Sequence, residues 1–149
     1  MAGFLGEYEA TIDAKGRFLL PGGIRKQLPE GSDTLILSRS FEGCLLLYTT
    51  KNWEVIEEKL KKLNDFSLKI NKARTFLSNG TMVSFDTAGR ILLPPTLKEF
   101  AKLEKDIMIT GDIDKFKIWN STKYKKLFED LSEDDIEGLA EVMNNIPTL

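Results

Sequence analysis

The stretch Asp13-Ala14-Lys15-Gly16-Arg17-Phe18-Leu19-Leu20-Pro21 returns 73 residues later as Asp86-Thr87-Ala88-Gly89-Arg90-Ile91-Leu92-Leu93-Pro94, with six of nine positions identical. Likeness in residue type extends outward from it. Ile24-Arg25-Lys26 falls opposite Leu97-Lys98-Glu99, and Leu35-Ile36-Leu37 opposite Ile107-Met108-Ile109. Leu47-Tyr48-Thr49-Thr50-Lys51-Asn52-Trp53 resembles Ile118-Trp119-Asn120-Ser121-Thr122-Lys123-Tyr124. The spacing drifts by a residue or two, as it does when loops differ in length. The chain therefore holds two copies of one unit of about forty-five residues, which makes the repeat the organising fact of the fold.

Each copy reads in the same order. Tyr8, Ala10 and Ile12 alternate with polar neighbours, a period-two strand signal. Asp13-Ala14-Lys15-Gly16 places Asp at the first turn position and Gly where a positive φ is wanted, the chemistry of a type I turn closed by a glycine bulge. Phe18-Leu19-Leu20 reads as the return strand of a hairpin, stopped by Pro21, which has no N–H to donate. A short helix is predicted from Gly22 to Leu28, with its counterpart from Pro95 to Leu103. Thr34 to Ser38 and Cys44 to Tyr48 form a second hairpin turned at Phe41-Glu42-Gly43. Helices follow around Trp53 to Leu60, with Trp53, Ile56 and Leu60 on one face, from Asp65 to Leu77, and from Ser121 to Leu131. Ser132 reads as the N-cap of a last helix with acids in its first turn and a stripe of Ile136, Leu139, Ala140 and Met143. Aromatics at equivalent positions, Tyr48 with Trp119 and Trp53 with Tyr124, read as core. No low-complexity linker separates the copies, so they are expected to pack as one body. A unit this small leaves strand edges bare, so association with further copies is also expected.

Composition narrows the chemistry. The 149 residues contain no histidine and one cysteine, Cys44. The commonest general base is absent, and no thiolate or imidazole cluster can hold zinc. Neither the phosphate-cradling GxxxxGK[ST] pattern nor the dinucleotide GxGxxG pattern occurs. An enzyme, a cofactor or a small-molecule substrate is therefore not expected. No apolar run is long enough to cross a bilayer and the first residues do not read as a signal peptide, so a cytoplasmic protein is expected. The net charge of −2 hides an asymmetry. Lys15, Arg17, Arg25 and Lys26 lie close together near the start, whereas Glu129, Asp130, Glu133, Asp134, Asp135, Glu137 and Glu141 follow the last base, Lys126. Local field decides whether a polyanion binds, and a basic face can coexist with an acidic tail.

Turn chemistry explains Asp13, Asp86, Gly16 and Gly89 without any ligand. It does not require an arginine immediately after the glycine, yet both copies have one. A planar guanidinium projecting from a stiff turn suits phosphate oxygens or a guanine edge. Arg17 and Arg90 are thus candidate DNA contacts, with Lys15, Arg25, Lys26 and Lys98 extending the basic surface. The second copy is poorer in charge, since Ala88 stands opposite Lys15 and Glu99 opposite Lys26. The basic run at Lys59-Leu60-Lys61-Lys62-Leu63 has Glu54, Glu57 and Glu58 nearby and reads as a solvated helix face.

With Gly6-Glu7-Tyr8, Thr11 to Arg17, Glu42-Gly43-Cys44-Leu45 and Asp86-x-x-Gly89-Arg90-Ile91-Leu92-Leu93-Pro94, the chain resembles over nearly its whole length the MraZ family of bacterial transcriptional regulators, built from two domains of SpoVT/AbrB type. The resemblance implies an α+β fold in which two internal repeats form a swapped-hairpin, AbrB-like β-barrel with flanking helices. It implies a homo-oligomeric ring, association with the nucleoid, and binding of double-stranded promoter repeats that control the division and cell-wall gene cluster and the protein's own gene. The family's DNA-contacting motif falls on Asp13 to Arg17 and Asp86 to Arg90. The expected organisation is a first repeat with trailing helix over 5–62, a helical connector over 63–79, a second repeat over 80–131 and a C-terminal helix over 132–149. AbrB-like units also occur as antitoxins, so a protein-interaction module is the alternative.

Overall fold

A computed structural model of the chain describes residues 3–129 and 131–146. Eight strands and six helices follow in the order β1 (Glu7–Thr11), β2 (Arg17–Leu19), α1 (Gly22–Arg25), β3 (Thr34–Arg39), β4 (Leu45–Thr49), α2 (Thr50–Lys61), α3 (Leu68–Ser78), β5 (Thr81–Ser84), β6 (Arg90–Leu92), α4 (Pro95–Phe100), β7 (Asp106–Asp112), β8 (Lys115–Asn120), α5 (Ser121–Lys126) and α6 (Glu133–Asn144). This is an α+β fold.

The copies are interleaved. Six antiparallel strands form a sheet in the order β1-β7-β8-β4-β3-β5, and β2 pairs with β6 in a separate ribbon. The first strand of each copy thus lies on the other copy's half of the sheet: Tyr8 opposite Ile109, and its counterpart Thr81 opposite Leu37. Two pairings are nearly self-symmetric. β4 meets β8 with Leu45 opposite Ile118 and Leu47 opposite Phe116, while β2 meets β6 with Phe18 opposite Ile91. A pseudo-twofold axis runs through both.

Three expectations need correction. The sheet is open rather than a closed barrel, because β2 and β6 leave it to pair with each other and, among the described residues, nothing joins its outer strands β1 and β5. The first hairpin keeps its turn but not its ladder. Only Ile12 and Phe18 bridge, after which β1 turns to β7 and β2 to β6. This divergence lets Ile12 and Phe18, at 5% and 1% exposure, enter one core while their strands line it from two sides. α1, α3, α4 and α5 are also shorter than the apolar pattern suggests, whereas α2 is longer, starting at Thr50. Gly22 and Gly23 each cost about 1 kcal/mol relative to Ala in a helix interior. After Arg25 the backbone tightens to i→i+3 bonds at Gln27 and Leu28 before Pro29. Similarly, α3 begins only at its Ser67 cap, and α5 ends at Lys126.

Side-chain alternation sorts the sheet's two faces. Leu35, Leu37, Leu45, Leu47, Ile107, Ile109, Phe116 and Ile118 meet Phe18, Leu20, Ile91 and Leu93 of the ribbon region and Ile24 and Leu97 of α1 and α4. The opposite face carries Ile36, Cys44, Leu46, Tyr48, Met108 and Trp119, covered by Trp53 and Ile56 of α2 and Tyr124 of α5. Burial on both faces explains why β4 reads as an unbroken apolar run. The Cys44 thiol is fully buried beside the Ser40 hydroxyl, and burial raises its pKa. Among the described residues no helix is long and apolar enough to cross a membrane. Of the expected C-terminal helix, residues 147–149 lie outside the described residues, as does Asp130 of the expected second repeat.

Candidate nucleic-acid interface

Both Asp-x-x-x-Arg segments form the same turn. The N–H of Gly16 donates to Asp13 O at 3.0 Å and that of Gly89 to Asp86 O at 2.9 Å. The glycines sit at φ of 83° and 82°, in the left-handed region that closes such a bulge. The Asp13 carboxylate accepts from the backbone N–H groups of Lys15 and Arg17, both at 2.9 Å, and from Arg17 Nε at 3.0 Å. Asp86 repeats the set with Ala88 N at 2.9 Å and with Arg90 N and Nε, both at 2.8 Å. Each carboxylate thus fixes its turn and steers its arginine through one edge of the guanidinium. Among the described residues the Nη groups of Arg17 and Arg90 have no hydrogen-bond partner, and their side chains are 26% and 35% exposed. They are held at the surface by one edge, with the other edge open to an anion.

The same bonds depress the carboxyl pKa values. Backbone N–H donation from Arg17 holds Asp13 below its ordinary value of 3.8, with partial burial opposing and the guanidinium adding to the effect. Donation from Arg90 does the same for Asp86. A folded value below the unfolded one means that this contribution to stability is complete above about pH 3.8 and is lost as the pH falls through the lower folded values. Thermal unfolding followed from pH 6 to pH 2.5 should therefore show a steeper acid decline for the native chain than for an Asp13→Asn/Asp86→Asn variant.

The ribbon brings the turns together. With Phe18 opposite Ile91, Arg17 lies opposite Leu92 and Leu19 opposite Arg90. Phe18 and Ile91 point into the core, so the other four face outward, and Arg17 and Arg90 are diagonal neighbours, about 7–8 Å apart at Cα. Leu19 and Leu92, at 54% and 58% exposure, complete this face. In the sequence the two leucines stand out only as strand residues. Strict alternation about the buried Phe18 and Ile91 was the signal that would have placed them beside the arginines.

The remaining basic residues divide. The Lys15 side chain is exposed on the first turn. Arg25 of the first copy reaches the second copy's turn: its guanidinium lies 5.6 Å from the Phe85 ring centroid, and a Cβ on Gly89 would come within 2.5 Å of its Nη1. Conversely, Lys98 of the second copy lines a groove of about 670 Å³ with Ala14, Lys15 and Gly16 of the first turn. Lys26 caps the end of α1 and is exposed, and among the described residues no side-chain bond ties it to either turn. None of Lys15, Arg25, Lys26 and Lys98 is in an ion pair among the described residues. By contrast, Lys61 pairs with Glu58 at 3.2 Å on the solvated face of α2.

The two turn glycines should respond differently to alanine. Gly16→Ala meets nothing closer than 3.8 Å and incurs the left-handed penalty of about 1–2 kcal/mol. Gly89→Ala incurs the same penalty and must also push aside the Arg25 guanidinium. Chemical denaturation should place Gly89→Ala below Gly16→Ala in stability.

Comparison with known proteins gives one family. The profile described as "MraZ protein, putative antitoxin-like" matches twice, over residues 3–79 and 76–144. Among similar proteins, the transcriptional regulator MraZ of Christiangramia forsetii is 38% identical over 148 residues, 97% of this chain and 96% of that one. That of Ligilactobacillus salivarius is 37% identical, covering 94% of this chain and 96% of its own. That of Clostridium acetobutylicum is 36% identical, covering 96% and 98%.

Proposed function

The chain belongs to the MraZ family, and on that ground we propose that it is a transcriptional regulator that binds promoter DNA sequence-specifically and represses the division and cell-wall gene cluster together with its own gene. The family is one of regulators and not a class of enzymes. What chiefly supports DNA binding is the β2–β6 ribbon, which sets Arg17 and Arg90 on one outward face with their Nη edges free. A two-stranded ribbon fits the major groove, and paired N–H donors suit phosphate or guanine. Asp13 and Asp86 act as positioning residues, while Lys15, Arg25, Lys26 and Lys98 add charge around the ribbon.

One chain with few charge contacts binds weakly at cellular salt. Copies assemble as a ring, in the cytoplasm and on the nucleoid, and present several ribbons to repeated sites, so that each bound ribbon raises the effective concentration of the next. Bound promoter DNA is then closed to polymerase. The test is a gel shift of the full-length protein on the duplex upstream of its own gene, against a shuffled duplex of equal length, at about 50 and 200 mM salt. Selective retardation that survives the higher salt is expected. Equal retardation of both duplexes, or none, overturns the reading.

A further inference from the structure

Among the described residues, α6 is a finished helix with no packing partner. Ser132 and Asp135 form a reciprocal capping box at its start, yet every residue from Glu133 to Asn144 is exposed. Ile136, Leu139 and Met143, spaced for one helix face, stand 54%, 56% and 67% exposed. A twelve-residue helix is marginal in water unless an apolar face is covered. Its cover must also tolerate Glu133, Asp134, Asp135, Glu137 and Glu141 with no base among them, which disfavours a second α6.

The groove beside the first turn has the complementary character. Its floor includes Met82 and Leu92, 66% and 58% exposed, its rim carries Lys15 and Lys98, and no acid lines it. Beside it runs β5, an open edge of the sheet. Other exposed apolar residues lie next to acids in sequence: Phe66 beside Asp65, Phe41 beside Glu42, Ile113 between Asp112 and Asp114, and Phe128 beside Glu129.

We propose that α6 of one copy docks in the Lys15–Met82–Lys98 groove of a second copy. α6 does not occupy its own groove, which no residue after Lys98 lines. α5 packs on β7 and β8, and β5 lies four strand spacings from β7, about 19 Å across the sheet. Six residues, 127–132, join α5 to α6, and Leu127 to Glu129 are turned rather than extended. The contact is head-to-tail, the kind that closes into rings. If the DNA reading holds, it also places the acidic helix over two lysines of the DNA-binding surface, so that docking and DNA compete.

The test mixes two full-length variants, Met82→Cys and Leu139→Cys, and treats them with a short bifunctional maleimide; the native Cys44 is buried and does not compete. A covalent species containing one chain of each variant is expected, falling several-fold when the Met82→Cys chain also carries Lys98→Glu. Linkage of Leu139→Cys to itself or to a Phe66→Cys chain in its place, or no linkage between folded variants, overturns the proposal. Cross-linking is read without DNA, so it stands or falls separately from the function. Replacing the five α6 acids by their amides should then raise DNA affinity several-fold. Cross-linking with unchanged DNA affinity keeps the docking and removes the competition.

Discussion

Phe18→Ala is expected to destabilise the chain by about 3–5 kcal/mol, the usual cost of truncating a buried phenylalanine. Phe18 is 1% exposed and faces Ile91 on the pseudo-twofold axis, where ribbon and sheet meet across one core. Truncation opens a void bordered by both copies, and neither half can close it alone. Against a typical total stability of 5–15 kcal/mol this is a large share, and it corresponds to a drop of about 10 °C in Tm for a chain of this length. Phe66→Ala is the matched control. Phe66 is 97% exposed, and its loss should change stability by less than about 0.5 kcal/mol. Urea unfolding of the two variants, side by side, checks the contrast; equal effects would mean that the core does not lie where the ribbon places it.

Arg17→Ala combined with Arg90→Ala is expected to weaken binding to the upstream duplex about 100-fold, roughly tenfold for each guanidinium that contacts DNA. The salt dependence should change with it. Two lost phosphate contacts per bound chain flatten the slope of log K against log salt by about 1.8. That second readout separates lost charge from lost fold. Among the described residues each arginine side chain is hydrogen-bonded only through Nε to its own aspartate, so the turn hydrogen bonds from backbone N–H survive the substitution. Lys61→Ala removes a cation already paired with Glu58 on an exposed helix and should leave both affinity and slope unchanged. Unaltered binding by a folded, assembled double variant would remove the arginines from the site.

The repeat made much of this legible in advance. Two matching Asp-x-x-Gly-Arg turns fixed the turn chemistry, the position of the strands and the pairing of equivalent aromatics, because these are local consequences of residue type and spacing. Strand exchange was implied only by the resemblance to a swapped-hairpin fold and was not legible in the residues themselves. Tyr8, Ala10 and Ile12 alternate in the same way whether β1 pairs with β2 or β7, and the choice rests on core packing between residues some hundred positions apart. Arg25 likewise gives no sign in the sequence that it crosses to the other copy's turn and settles over Phe85. The α6 stripe is legible as amphipathic, but periodicity cannot say whether the surface that covers it belongs to the same chain.

Exchange of outer strands has a mechanical corollary. The bridge between α2 and α3, around Leu63 and Phe66, is exposed and is the natural place for a protease to cut. A nick there would not release two free pieces, since each fragment still supplies a strand stitched into the other's half of the sheet. The severed molecule would migrate as one particle until denatured, and the separated fragments, remixed, would knit themselves back together.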